Sequence, residues 1–466
     1  MENGFRSDAV RVLDWIMAYR AGLRDRPVRA QVQPGDIAAL LESAPPPATC
    51  TLDDALNAIE RIILPGLTHW QHPRFFAYFP ANGNAASFLG EMLMAGFGVN
   101  AMLWETSPAA TELETRVLDW LRQSLAMAPG WHGVIQDTAS SATFIATLVA
   151  REKALDWRGN EDGLAGAPKL TVYASVHAHS SVEKAVMMAG LGRSALRRIP
   201  ARADGGMDVD ALNARIAADL ETGHRPALLV GTLGSTDIGA FDPLGDLAAT
   251  ARQHGLYFHV DAAWAGTAML CPEYRSWMNG VDGADSFVFN PHKWMGVHFD
   301  CTAHYVRDPD SLTRTLSILP DYLKTAHTGH VRDHRDWGLP LGRRFRALKL
   351  WLVLRLTGLD AIRAMIRNHV TWAQALADWI DAAPGFTRLA GPNLSLVTFR
   401  FGPEGAQGDR LTEALLEAVN ADGFCYLTRG QVAGRKAIRF QIGAEATTLE
   451  DVRASWERIN SLAVGA

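Results

Sequence analysis

Residues 257–266 read YFHVDAAWAG. An apolar run of strand length ends on a carboxylate, Asp261, and small residues follow at once. A carboxylate in that position is expected to be buried, so it needs a cationic or hydrogen-bonding partner. A helix N-cap or a salt bridge would supply one, and so would the protonated ring nitrogen of a bound cofactor. The same alternation recurs on both sides of this stretch. Leu170–Ala174, Ala227–Gly231, Tyr257–Val260 and Ser286–Phe289 read as strands, and Ser181–Leu191 and Pro243–His254 as helices. Strands alternating with helices predict an α/β fold with a mostly parallel central sheet covered on both faces.

The remainder of the chain has other patterns. Toward the C-terminus, His369–Ala382 and Gly408–Asn420 have helical spacing, while Leu394–Phe401 and Ala437–Ile442 read as strands. This predicts a smaller α+β C-terminal domain over 361–466, after a large α/β domain over 85–360. Residues 1–84 form an N-terminal helical segment. Val10, Leu13, Ile16 and Met17 fall at helical spacing between charged residues, which gives an amphipathic helix and not a signal peptide. A leader with exposed apolar faces needs a surface to cover it, so packing across a homodimer is expected.

Composition narrows the function classes. The 466 residues are 48% hydrophobic and 20% charged, which suits a folded globular protein. Forty-five basic against 50 acidic residues give a net charge of -5, a poor footprint for nucleic acid. No apolar run reaches the roughly 18 residues of a membrane span. Cys50, Cys271, Cys301 and Cys425 form no CxxC pair, so neither a disulfide framework nor a zinc site is indicated, and reduced thiols in a cytoplasmic protein are expected.

In open parallel sheets, ligands bind beyond the carboxyl ends of the strands. The residues just past each strand are therefore informative: His177 and His179, then Thr232, Ser235 and Thr236, then Asp261, then Asn290, His292 and Lys293. Four strands deliver polar or ionisable groups toward one edge. Lys293, between a histidine and a tryptophan, is expected to be partly desolvated, which makes an amine nucleophilic toward an aldehyde. Alone it reads as a surface lysine. Paired with Asp261 it meets the needs of pyridoxal 5'-phosphate, which takes a lysine on its aldehyde and a carboxylate on its ring nitrogen. Thr138, Ser140 and Ser141 open a helix whose free N–H groups suit a phosphate, or merely cap the helix. Asp137 would repel a phosphate there unless turned away. Gly190-Leu191-Gly192-Arg193-Ser194-Ala195 imitates a dinucleotide fingerprint but comes after a helix rather than a strand, which excludes that reading.

With these residues in place, the chain resembles the pyridoxal-phosphate-dependent group II decarboxylases, most closely the aromatic-L-amino-acid decarboxylases and their bacterial relatives. The resemblance rests on HWQHPRFFAYFP (69–80), SPAATELE (107–114), GVIQDTAS (133–140), AHSSVEKA (178–185), HVDAAWAG (259–266), NPHKW (290–294), DYLK (321–324) and PLGRRFRALKLW (340–351). It implies an aspartate-aminotransferase-like (fold type I) homodimer with the active site at the subunit interface. It also implies Lys293 as the Schiff-base lysine, Asp261 as the ring-nitrogen partner, and His179 and Ala263 on the two ring faces. Ala139, Ser140 and Asn290 would hold the phosphate, with Thr236 and His292 close to the cofactor. Trp70, Tyr78, Phe79, Pro80, Ala81, Met102 and Gly342 would line the substrate pocket, and Tyr322 would be the acid that reprotonates the substrate carbon.

The expected reaction is decarboxylation of an aromatic L-amino acid of the tryptophan, tyrosine, phenylalanine or DOPA class. No basic cluster in 69–80 favours an acidic substrate, and the resemblance ties Gly342 to bulky rings. The alternatives are an aldehyde synthase, which also deaminates oxidatively, a transaminase-like enzyme, and a non-catalytic binding protein on the same scaffold. Retention of Tyr322 and His179 favours simple decarboxylation over the aldehyde synthase. Ala81, Met102 and Glu105 depart from the animal enzymes, where threonine, an aromatic and a small residue are expected. Glu105 would favour a substrate bearing a hydrogen-bond donor if it faces the pocket.

Overall fold

Short runs rich in β-branched and aromatic residues, bounded by turn residues, become the strands of two sheets. The computed structural model describes residues 2–46, 48–318, 327 and 331–464. The chain divides into two units, one made of 1–80, 372–390 and 397–466, the other of 81–371 and 391–396.

The larger unit is built on a seven-stranded sheet. Its strands are β1 (His132–Gln136), β2 (Leu170–Ser175), β3 (Leu196–Ile199), β4 (Arg225–Thr232), β5 (Tyr257–Asp261), β6 (Ser286–Phe289) and β7 (Thr302–Val306), in the order β1-β7-β6-β5-β4-β2-β3. From β3 to β6 all neighbours run parallel, whereas β7 is antiparallel to both β6 and β1. The four expected strands are therefore present, each within about two residues of its expected ends. β1, β3 and β7 are additional. β3 (LRRI) and β7 (TAHYV) carry too few apolar residues to stand out, yet β7 is wholly buried.

Both sheet faces are covered, as parallel strands require. The helix Ala139–Ala154 brings Ile145, Ala146 and Val149 onto Val134, Val172, Leu228 and Val230, all 1% exposed or less. The helix Leu244–His254 puts Leu244 and Leu247 against Gly231, which faces the other side by strand alternation. The false fingerprint at 190–195 is a reversal: Gly190 and Gly192 have φ of 77° and 82°, and a short turn at Arg193–Ala195 leads into β3.

The smaller sheet has the order β10-β11-β9-β8, comprising β8 (Phe386–Asn393), β9 (Leu396–Phe401), β10 (Thr428–Val432) and β11 (Arg435–Gln441). The single strand expected over Leu394–Phe401 is a correction. Leu394 has a φ of 49°, so the chain reverses there and only Leu396–Phe401 is strand. The flanking Asn393 and Ser395 are turn formers. The helix expected from His369 begins at Leu359, directly after Gly358. Phe76, Leu376, Ile380, Phe399, Leu415, Ile438 and Phe440 pack together as this unit's core.

The junction of β5 and β6 tolerates no extra atom. A Cβ on Gly266 would lie 2.4 Å from the Cβ of Phe289, the last residue of β6. Gly266→Ala is therefore expected to destabilise the protein by about 1–3 kcal/mol, as overpacking does. Thermal unfolding against wild type checks this, and an unchanged Tm would contradict so tight a contact.

Candidate active site

Parallel pairing aligns the carboxyl ends of β2, β4, β5 and β6. Thr232 of β4 lies beside Asp261 of β5, which lies beside Val288 of β6. Antiparallel β7 begins at the same edge, and β1 ends there, because Gln136 pairs with Thr302. Residues 137–140 therefore emerge at that edge, where the helix Ala139–Ala154 begins.

Asp261 is 6% exposed. Its Oδ1 accepts the Ala263 N–H at 3.0 Å, and among the described residues Oδ2 takes no hydrogen bond. His179 is the N-cap of the helix Ser180–Met188. Its Nδ1 accepts the Ser181 N–H at 3.1 Å, so the neutral ring carries its proton on Nε2. The residue is exposed, yet the protein around it lowers its pKa by desolvation. The Asp261 charge opposes that shift and the Lys293 charge adds to it, so the three groups share one electrostatic environment.

Lys293 is half-buried on the short helix Pro291–Trp294. Its N–H donates to the Asn290 carbonyl at 2.9 Å, and its carbonyl accepts from Asn82 Nδ2 at 3.1 Å. The Asn290 N–H in turn donates to the Ala263 carbonyl at 2.9 Å, tying the lysine segment to the residues after Asp261. His292 is buried. Its Nδ1 accepts the Cys301 N–H at 3.0 Å, and burial pushes its pKa down to about 3, so it is neutral.

Ala263 packs with Ala139, Ala142 and Val288, leaving a shallow floor of small side chains. Thr138 caps the helix, and Ser140 is exposed at its first turn. Asn290 Oδ1 accepts the Thr302 hydroxyl at 2.8 Å, which identifies Nδ2 as the donor end of the amide. Asp137, which threatened a phosphate here, is exposed and folds Oδ1 back onto the Thr138 N–H at 2.8 Å. Thr236 is half-buried on the loop after β4. That loop is tied to the one after β2 by His177 Nδ1 and Asp237 Oδ2, 2.6 Å apart.

A second group of predicted residues gathers at 100–105 and 342–343. Arg343 Nη2 donates to both Glu114 Oε1 and the Ile135 carbonyl at 2.8 Å, and all of these groups are buried. Burial pushes the Glu114 carboxyl up, but Arg343 and then His334 outweigh it and hold the pKa below the usual range. The backbone of Arg343 accepts from the Ala101 N–H at 2.8 Å and donates to Asn100 Oδ1 at 3.0 Å. Met102 and Gly342 therefore come together through Asn100. Glu105 is exposed.

Trp70, Tyr78, Phe79, Pro80 and Ala81 fall across the boundary of the two units, the first four in the smaller one. There Trp70 and Tyr78 stack at 5.7 Å, and the Tyr78 hydroxyl meets that of Tyr426 at 3.3 Å. Tyr322 lies outside the described residues. Three contributors were not picked out in sequence: Asn82, Asn100 and Asp237, the partner of the strand-end His177. Asn82, fully buried after Pro80-Ala81, was the one that could have been flagged.

With this geometry in hand, comparison with known proteins gives the class. The pyridoxal-dependent decarboxylase conserved domain matches residues 34–402, and the chain belongs to that family. It is 40% identical over 461 residues to phenylacetaldehyde synthase of Arabidopsis thaliana, covering 96% of this chain and 93% of that protein. It is also 40% identical over 466 residues to tyrosine decarboxylase 2 of Narcissus pseudonarcissus, covering 97% and 92%. A solved structure, Oryza sativa TDC with PLP and tryptamine, superposes with a TM-score of 0.96 at 34% identity, covering 100% of this chain and 98% of that one. The fold is accordingly the type I, aspartate-aminotransferase-like fold, and the cofactor is pyridoxal 5'-phosphate.

The residues present suit that cofactor. A buried carboxylate with one oxygen unfilled matches a protonated ring nitrogen, and the alanine floor leaves room for a flat ring. A helix N-terminus with Asn290 Nδ2 nearby matches a phosphate.

The His177–Asp237 pair gives a pH signature. Its hydrogen bond to Asp237 raises the His177 pKa. Desolvation would raise that of Asp237, but the bond to His177 outweighs it and the net shift is downward. The pair's contribution is thus fully present below the ordinary histidine value of about 6.5 and is lost as pH rises through the raised one. His177→Asn is expected to lower Tm more near pH 6 than near pH 9. An equal loss at both would assign the residue a packing role only.

Proposed function

We propose that this chain is a cytoplasmic, homodimeric decarboxylase of aromatic L-amino acids of the tryptophan, tyrosine, phenylalanine or DOPA class, releasing the amine and CO₂. The observation that carries the reading is the joint placement of His179, Asp261 and Lys293 at one sheet edge, where the charges of Asp261 and Lys293 both act on His179. Relatives named for tyrosine, tryptophan and mixed aromatic substrates support the substrate class. Exposed apolar side chains support a homodimer: Phe5, Val10 and Met17 on the first helix, and Leu89, Met92, Leu93 and Phe97 on the helix Ala85–Phe97.

Pyridoxal phosphate, when bound, supplies the electron sink for the electron pair left at the substrate carbon as CO₂ departs. Lys293 would hold it through its amine, and Asp261 would keep a proton on its ring nitrogen. Ala139, Ser140 and Asn290 would hold the phosphate, with Thr236 and His292 alongside. His179, neutral with its proton on Nε2, would cover one ring face opposite Ala263. Trp70, Tyr78, Phe79, Pro80, Ala81, Met102 and Gly342 would surround the substrate ring, and the site would be completed at the subunit interface. Tyr322 would return a proton to the substrate carbon as general acid.

A second reading has a specific basis. The 40% identity to phenylacetaldehyde synthase favours decarboxylation followed by oxidative deamination. One experiment separates the two: purified holoenzyme incubated with aromatic L-amino acids, with amine, CO₂, aldehyde, hydrogen peroxide and oxygen uptake monitored together. Amine and CO₂ in equal amounts without oxygen uptake are expected. Aldehyde and peroxide in equal amounts would make it an aldehyde synthase. In the same assay Lys293→Ala should lose the visible cofactor absorption and all turnover. Asp261→Asn should retain protein-bound cofactor but lose about a hundredfold or more in kcat, since an uncharged ring is a poor sink.

A further inference from the structure

Lys293 stands on a helix of only four residues, Pro291–Trp294. So short a helix is not stable by itself, and its position is set by what holds it from outside. Its last residue supplies a side-chain anchor. Trp294 is fully buried and stacks on Trp264, with ring centroids 5.2 Å apart and planes at 21°. Trp264 follows closely on Asp261 and is wedged against the loop after β4, because a Cβ on Gly234 would lie 2.9 Å from its ring.

Trp294 also meets a second buried group. Its Nε1–H donates to His369 Nδ1 at 2.9 Å, and the two ring planes are 4° from parallel, which suits a bond aimed at an in-plane lone pair. His369 is 1% exposed, and burial pushes its pKa down to about 3, which leaves Nδ1 unprotonated and able to accept. It rides on the long helix Leu359–Ala382, in the part that belongs to the larger unit. Arg363 of the same helix donates Nε–H to the Leu270 carbonyl at 2.9 Å, which ties the helix to the segment after β5. A tryptophan N–H in a core needs an acceptor in any case. This one also fixes the residue next to the lysine.

We infer that His369 is a positioning residue for Lys293: by holding Trp294 against Trp264, it fixes the turn that carries the lysine amine to the cofactor. This rests on the reading of Lys293 as the cofactor lysine given above. His369 acts only through Trp294. Misplacing a reacting group by about 1 Å can cost about a hundredfold in rate, so a bond remote from the chemistry can matter to it.

The test uses the holoenzyme and three substitutions. His369→Leu removes the acceptor. Trp294→Phe removes the donor and keeps a flat ring. His369→Asn keeps an acceptor, Oδ1, in the place of Nδ1. The rate of cofactor loss on dilution and the visible circular dichroism of the bound cofactor are read well below Tm. His369→Leu and Trp294→Phe should each speed cofactor loss about tenfold and weaken the visible signal. The double variant should lose no more than the worse single one, since both remove the same bond. His369→Asn should stay within about twofold of wild type. A packing role alone would lower Tm and leave both cofactor readouts at wild-type values, and that result would overturn the inference. Losses that add in the double variant would do the same. If His369→Leu does not fold, Trp294→Phe against His369→Asn decides, and equal behaviour of the two overturns the inference. Lys293→Ala tests the reading beneath it: visible absorption that survives this substitution would place the cofactor lysine elsewhere, whatever the His369 variants do.

Discussion

A buried carboxylate with only half of its hydrogen-bonding capacity used is the constraint around which the larger unit is organised. Asp261 sits at the end of β5, where water cannot fully solvate it and one backbone N–H is not enough to offset burial. A cation or a hydrogen-bond donor brought to its second oxygen would complete the arrangement. The surrounding elements bring other polar groups to the same edge. Parallel strands send their carboxyl ends to one edge, small residues floor the space, and chained backbone hydrogen bonds fix the lysine segment to the residues after Asp261. The reversed direction of β7 also contributes, since it brings Thr302 to that edge to orient Asn290.

Much of this was legible in the sequence because strand-end chemistry is local. Asp261, Asn290, His292 and Lys293 each stand within a few residues of an apolar run whose direction the α/β alternation dictates. The edge strands were harder. β7 contains His304 between alanine and tyrosine, a pattern that periodicity alone reads as a half-exposed segment, although both neighbouring strands bury it. The reversal at Leu394 was hidden for the opposite reason: a leucine in a left-handed turn imitates a strand residue. Asn100 carries no local signal at all. Its place is set by the Arg343 backbone, 243 residues away. The departures at Met102 and Glu105 drew attention to the segment, but Glu105 is exposed and the polar group that faces Gly342 is the one two residues before Met102.

The histidines divide by the same physics. His259, His292, His304 and His369 are buried, and desolvation drives each to about 3, which makes them neutral spacers at any physiological pH. His179 and His177 lie where protein and solvent meet. One has its pKa lowered by desolvation and its tautomer defined by a backbone donor, and the other has its pKa raised by a carboxylate. Adjacent turns of one loop therefore offer a flat neutral ring and an electrostatic tether.

The Glu114–Arg343 pair has a consequence for how such an enzyme diversifies. Removing either partner would strand a buried charge, at a cost of about 3–5 kcal/mol, so the footing of the 342–343 segment is nearly immutable. Beside it, Asn100 shares that burden through its bond to the Arg343 N–H, whereas Met102 and Gly342 carry none of it. Were the substrate ring to lie against Met102 and Gly342 as proposed, substitutions at those two positions would alter its surroundings without stranding the buried pair.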